Sequence, residues 1–244
     1  RRLTMSLHKD IELLREDENY YGELGSKYLS NSDVGTLLNN PKNFGKRGEE
    51  TKAMIEGRYF HTAMLEPQKL SNFEFIDASS RNTKAYKELG KMVLLKKEKE
   101  WLDQLIDTMK SNLNFYELIY MDGNTYEEPG IKDIGGVLWK GKADIVSEQF
   151  ILDIKTTSSI SDFRRSCYKY NYDSQAFIYK CIFGKPMMFL VIDKLTMNMG
   201  MFEASNEFVQ SGKDKVERAL NVYNMFFGAE SQEDISNYFT YEIL

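Results

Sequence analysis

Cysteine and histidine are scarce in this chain, with two of each in 244 residues. Cys167 and Cys181 belong to no C-x-x-C pair, so a four-cysteine cluster is excluded. Two reduced thiols in a cytoplasmic protein are the expectation. Prolines are few and scattered, at 41, 67, 129 and 186, and no repeat or low-complexity linker interrupts the chain. No apolar run approaches the ~18 residues of a membrane span. The segment Arg1 to Asp10 lacks an apolar stretch of signal-peptide length, so neither membrane insertion nor export is expected. A basic excess is missing too. Lys and Arg total 32 against 37 Asp and Glu, for a net charge of −5. Phosphate binding usually leaves a basic excess. An acidic body can nonetheless carry a local basic rim, and a metal site needs clustered carboxylates, so charge alone excludes no nucleic-acid chemistry.

What is present suits an ordinary globular protein, 42% apolar and 28% charged. The length allows one domain with a sizeable core. The spacing predicts a charged, partly helical arm over 1–18 and a short helix capped at Asn31 or Ser32 and stopped by Asn40-Pro41. A longer helix runs from Glu49 to Glu66 and ends at Pro67; further helices cover Asn82–Leu89 and Met92–Met109. The pattern then changes. Strands are expected around 125–129, 134–146 and 149–155, with turns at Pro129-Gly130, Gly135-Gly136 and Ser147-Glu148. Helices over 161–169 and 172–183, strands over 187–193 and 199–204, and a final helix over 205–227 complete the order. The chain thus reads as a single domain over 1–244: a mainly helical part over 1–110, an α/β core over 111–227 and a tail over 228–244.

The chemistry is concentrated in Gly141-Lys142-Ala143-Asp144-Ile145-Val146 and Phe150-Ile151-Leu152-Asp153-Ile154-Lys155-Thr156-Thr157. Both are apolar strands carrying charge. Alternation puts Asp153 and Lys155 on one face with Ile154 turned away. A turn near Ser147-Glu148 brings Asp144 beside them. Two carboxylates in an apolar sheet repel and are costly to bury. A hard divalent cation resolves this, and the lysine supplies a positive charge for a developing anion. Taken alone, an Asp-x-Lys strand reads equally well as an exposed cross-strand pair. Three features add weight. His61 lies in Gly57-Arg58-Tyr59-Phe60-His61 on a largely apolar helix, although a lone helical histidine is more often a core residue. Gln175 and Tyr179, four apart, share a helix face, which the edge of a buried helix would also explain. Thr156, Thr157 and Ser158 place hydroxyls beyond the lysine, suited to phosphate or simply to a loop and helix cap.

In combination these segments resemble the PD-(D/E)xK nuclease superfamily, within it the RecB-like exonucleases, and most nearly the RecE (exonuclease VIII) group. The pattern is G-x-x-x-H on an early helix, Asp on one strand, D/E-x-K on the next and Q-x-x-x-Y on the following helix. All four parts occur in order, and the likeness spans roughly residues 20–225. The family's proline before the first Asp is Ala143 here. The resemblance implies an α/β, restriction-endonuclease-like fold: a mixed central sheet flanked by helices with a helical N-terminal elaboration. It implies His61, Asp144, Asp153 and the Ile154 carbonyl as ligands of Mg²⁺ or Mn²⁺, with Lys155 as the catalytic lysine. Gln175 and Tyr179 would support the site or touch DNA. One of Glu127 and Glu128 would add a further carboxylate, and the sequence does not separate them. Thr156, Thr157, Ser158, Arg164 and Arg165 are the candidate DNA contacts, a solvated basic face being the equal alternative for the two arginines. An exonuclease acting on duplex ends in phage-type recombination is implied, as a homo-oligomeric ring beside a single-strand annealing protein. An endonuclease of the same superfamily and a non-catalytic DNA-binding module are the alternatives.

Overall fold

The computed structural model describes residues 2–46, 48–231 and 233–240. Arg1 of the expected arm, and residues 232 and 241–244 of the expected tail, lie outside them. The order is α1 (Arg2–Leu13), α2 (Asp17–Tyr20), α3 (Asn31–Asn39), α4 (Lys52–Leu65), β1 (Phe75–Ile76), α5 (Lys84–Lys87), β2 (Leu94–Leu95), α6 (Lys96–Ser111) and α7 (Leu113–Ile119). Then follow β3 (Thr125–Ile134), β4 (Val137–Val146), β5 (Ile151–Thr157), α8 (Phe163–Lys169), α9 (Tyr172–Phe183), β6 (Met187–Asp193), β7 (Met199–Glu203) and α10 (Asn206–Phe226). Strands β3-β4-β5-β6-β7 form one sheet in that order. Only the β5–β6 pair in it is parallel. This is the mixed, helix-flanked sheet expected from the sequence. Among the described residues no helix is long and apolar enough to cross a membrane.

Local chemistry accounts for most boundaries. Thr51 accepts the Met54 N–H and starts α4, and Ser205 accepts the Phe208 N–H and starts α10. Ser30, rather than Asn31 or Ser32, caps α3 in a reciprocal pair with Asp33. Asn171 in the left-handed region separates α8 from α9, and Gly184 in the same region ends α9. Three expectations are corrected. Met92–Leu95 is not the start of a helix; Leu94-Leu95 pairs in parallel with Phe75-Ile76 as a small second sheet, and Glu98 accepts the Leu95 N–H to open α6. Pro129-Gly130 is not a turn but lies within β3, where an edge strand tolerates the missing N–H. Thr156 and Thr157 are the end of β5 and not a loop.

The sheet is packed on both faces. One core joins Ile55, Phe60 and Met64 of α4 and Leu102, Leu105 and Met109 of α6 to Ile145, Leu152, Ile154, Leu190 and Ile192. The other joins Val34 and Leu37 of α3, Ile178 of α9 and Val216 and Leu220 of α10 to Trp139, Ala143, Ile151, Phe189 and Val191. Burying a large apolar side chain contributes ~1.5–3 kcal/mol, so both layers are held firmly against the strands. Along β4 the faces exchange: Ala143 belongs to one core and Ile145, two residues on, to the other. Strict alternation would put them together. On the neighbouring strand Glu127 has φ 48°, a left-handed conformation rare for a side chain of this size. The irregularity of both strands falls at Glu127 and Asp144.

Candidate active site

Strands β4 and β5 pair at Ile145↔Leu152 and Val146↔Ile151 and then part. Asp144 fills the fork. Its Oδ2 accepts the Ile154 N–H at 2.8 Å and lies 3.2 Å from Nδ1 of His61, presented by α4. Glu127 completes this side: ligand atoms of His61, Glu127 and Asp144 all lie within 4.8 Å of one another. Across the fork, Asp153 is buried, with Oδ1 accepting Gln175 Nε2 at 2.7 Å and Oδ2 2.5 Å from Lys155 Nζ. The lysine lies over the Tyr172 ring at 5.0 Å. His61 therefore enters from the α4 layer and Gln175 from the α9 layer, and the two strands carry the acids between them.

The electrostatics are those of too much negative charge in too little water. Burial, then the neighbouring Asp144, pushes Glu127 up to about 8. Burial also raises Asp153, against the opposing pull of Lys155. Asp144 is held low: burial works against its charge, but His61, Lys155 and the Ile154 N–H outweigh it. His61 is raised, because the Asp144 carboxylate outweighs the burial that disfavours a charged ring. Lys155 is raised for the same kind of reason, burial being outweighed by Asp153 and Asp144. Asp153 Oδ2 accepts no aligned hydrogen bond although it is buried. A buried carboxylate oxygen faced only by the Lys155 ammonium, beside a His–Glu–Asp cluster whose Glu127 has a costly backbone conformation, fits a divalent cation.

The structure separates residues that the sequence leaves together. Glu127 joins the site. Glu128 turns to Arg15, which donates to both its oxygens at 2.9 Å. Asp153 is not in the tight cluster with His61, where the resemblance placed it as a ligand; its same-face neighbour Lys155 and Gln175 take its oxygens. Tyr179 donates its hydroxyl to the Lys142 carbonyl at 2.9 Å, and its ring fills the space over Gly141. It holds α9 to β4 and is buried. Thr157 is buried and donates to the Ser159 carbonyl, so it shapes its own loop. Thr156 is half-buried and Ser158 exposed. Arg164 and Arg165 are both exposed on the first turn of α8, which begins at Phe163 rather than near Ser161.

Sequence reasoning passed over Lys140 and Lys142. Both are buried on β4 and held by the N-terminal arm. Lys140 donates to the Tyr20 carbonyl, and Lys142 donates to the Arg15 carbonyl at 3.0 Å and to Asp17 at 2.7 Å. Both ammonium groups face the Tyr20 ring. A Lys-x-Lys in an otherwise apolar strand was the available signal.

A mixed sheet with an Asp at the fork, Asp-x-Lys on the next strand and Gln on the following helix defines a PD-(D/E)xK-type domain. The chain belongs to the family described as PDDEXK-like domain of unknown function (DUF3799), whose model matches residues 29–241. No curated protein matches it in sequence. Among solved structures it is similar to a Eubacterium rectale protein assigned as an exonuclease: 22% identity, 86% of each chain covered, TM-score 0.64. An alkaline exonuclease from Laribacter hongkongensis shares 14% identity over 80% of this chain and 87% of its own, at a TM-score of 0.37. A phage-related exonuclease from Haemophilus somnus shares 14% identity over 81% and 94%, at 0.36. Only the first of the three shares enough geometry to speak for the fold.

Proposed function

We propose that this protein is a divalent-metal-dependent deoxyribonuclease that degrades duplex DNA from its ends. The observation that carries the reading is the His61–Glu127–Asp144 cluster facing the Asp153–Lys155 pair across one fork. His61, Glu127 and Asp144 would hold Mg²⁺ or Mn²⁺, with Asp153 Oδ2 next to them. In an extended strand the N–H and C=O of one residue lie on the same edge. The Ile154 N–H donates to Asp144, so its carbonyl is directed to the fork as well. A bound cation would polarise the phosphodiester and lower the pKa of a water. Lys155, kept charged by the two aspartates, orients the attacking water and offsets charge gathering on the phosphoryl oxygens. Gln175 holds one oxygen of Asp153 and leaves the other facing Lys155.

The exonucleolytic direction of the reading rests on the resemblance in sequence. A ring-shaped homo-oligomer, an annealing-protein partner, a role in recombination and a cytoplasmic location belong to the same reading. Incubation with linear and with covalently closed circular DNA in Mg²⁺ tests it. Loss of linear DNA alone is expected. Cutting of both forms would make the protein an endonuclease, and cutting of neither, in Mg²⁺ or Mn²⁺, would make it a non-catalytic module.

A further inference from the structure

A cleft of about 740 Å³ opens between α4 and α6. It lies between the start of α4, the Ser79–Arg81 loop, α6, and the loops that follow β5 and β6. Its walls include Trp101, Leu95 and Leu195. Leu195 is 80% exposed at the tip of the β6–β7 turn. Four cations line it, Lys52, Arg81, Lys97 and Lys194, against two carboxylates, Glu56 and Glu98. Both carboxylates are buried and already neutralised. Glu98 pairs with Arg81 and Lys52, and Glu56 with Lys52 at 3.3 Å. Among the described residues Lys97 reaches the Ser79 carbonyl, and Lys194 stands 3.8 Å from Glu56. In a chain of net charge −5 this is a local positive site with apolar walls. Lys194 lies over the Trp101 ring at 6.0 Å, which sets the cationic and aromatic parts side by side.

Two elements, α4 and the end of β5, lead from the cleft to the fork. Glu56 lies five residues before His61 on α4, or ~7.5 Å along the helix. Ser158 lies three residues beyond Lys155, or ~10 Å along an extended strand. An aromatic wall beside lysines is the arrangement that holds an unpaired nucleotide, its base on the ring and its phosphate on the ammonium groups. We infer that this cleft binds an unpaired nucleotide of a DNA strand that runs past the fork, with the base against Trp101 and Leu195 and the phosphates on Lys97 and Lys194. The inference rests on the nuclease reading for its strand but not for its test.

Tryptophan fluorescence reads the cleft directly. The chain has two tryptophans, and Trp139 is fully buried in the α9-side core, so quenching by a ligand reports Trp101. A Trp101→Phe variant assigns the signal. The protein is titrated with a thymidine tetranucleotide and, separately, with thymidine 5′-monophosphate, in EDTA so that no metal acts. A saturable quench is expected with the tetranucleotide and a far weaker one with the mononucleotide. With two phosphate contacts, log affinity against log salt should have a slope of about −1.4, moving by about 0.7 for each lysine removed. Lys97→Glu and Lys194→Glu should each weaken binding ~10-fold, while Leu195→Ala, at an exposed position, reduces the quench without altering the salt slope. Absence of quench, quench indifferent to both lysine reversals, or equal affinity for mononucleotide and tetranucleotide would each overturn the inference. Because cleavage is not measured, a protein that digests linear DNA but shows no quench loses the cleft and keeps the nuclease reading; the reverse result keeps the cleft alone.

Discussion

Strand β4 carries two buried charge clusters a few residues apart; burial perturbs both, lowering Lys140 to about 8, but their partners are supplied differently. At Lys140 and Lys142 every ammonium has a carbonyl, a carboxylate or a ring facing it, all supplied by the arm over residues 15–20. At Glu127, Asp144 and Asp153 three acids face two cationic side chains, His61 and Lys155. One buried oxygen accepts no hydrogen bond, one carboxyl is pushed up to about 8, and one residue occupies the left-handed region. Buried charge is therefore not by itself a sign of chemistry. Several incompletely satisfied acids gathered at one place are the better sign, since a single unpaired polar atom such as Trp139 Nε1 also occurs in the core.

The widest separation of the two clusters should appear in catalysis. Asp153→Asn and Lys155→Ala are each expected to lower DNA cleavage by ~10²-fold or more, with circular dichroism unchanged. Lys142→Ala should leave the cleavage rate of the folded protein close to wild type. Near-normal cleavage by either fork variant would erase the distinction. In metal-soaked crystals His61 is expected ~2.0–2.3 Å from the ion, as nitrogen and oxygen donors stand to divalent metals. An ion bound without His61 would confine the site to the carboxylates.

Stability should divide the clusters in the other direction. The Glu127 carboxyl has a folded pKa of about 8, above its ordinary 4.5. Between those values the folded state holds more protons than the unfolded one, so stability of the metal-free protein falls as pH rises through this window. Glu127→Gln should remove that slope and raise the melting temperature at pH 8. Each ~1 kcal/mol gained corresponds to ~2–4 °C for a chain of this size. A melting temperature that is lowered or unmoved would mean that the fork is already relieved without metal. Lys142→Ala should instead destabilise by ~0.5–1.5 kcal/mol, through loss of its hydrogen bond to the Arg15 carbonyl, and equally with and without Mg²⁺. A metal-dependent loss would tie the arm to the site.

The smallest effect concerns α8. Arg164 and Arg165 are adjacent, so their side chains diverge by ~100° around the helix and only one is expected to face the DNA. Replacing that one by alanine should change the salt slope of DNA affinity, measured in Ca²⁺, by about one unit, and replacing the other should change nothing. Wild-type slopes for both would return this helix to an ordinary solvated face.

The sequence by itself determined the class of fold and the heart of the fork. Periods of 3.6 and 2.0 are local, so α4, α6, α9 and β5 could be read within a few residues, and Asp153 and Lys155 had to share a face. What lies at a change of phase could not be read that way. Alternation puts Glu127 and Glu128 on opposite faces but does not say which face meets the site; a left-handed backbone at Glu127 turns it there, and Arg15, 113 residues away in sequence, claims Glu128. Pro129-Gly130 carries a turn signal, yet an edge strand absorbs it. Tyr179 had the right spacing for a site residue, and a carbonyl on a different strand took its hydroxyl. Which of several well-placed polar groups is consumed in holding the fold, and which is left unsatisfied for chemistry, depends on partners brought together from distant parts of the chain. Only the tertiary structure decides it.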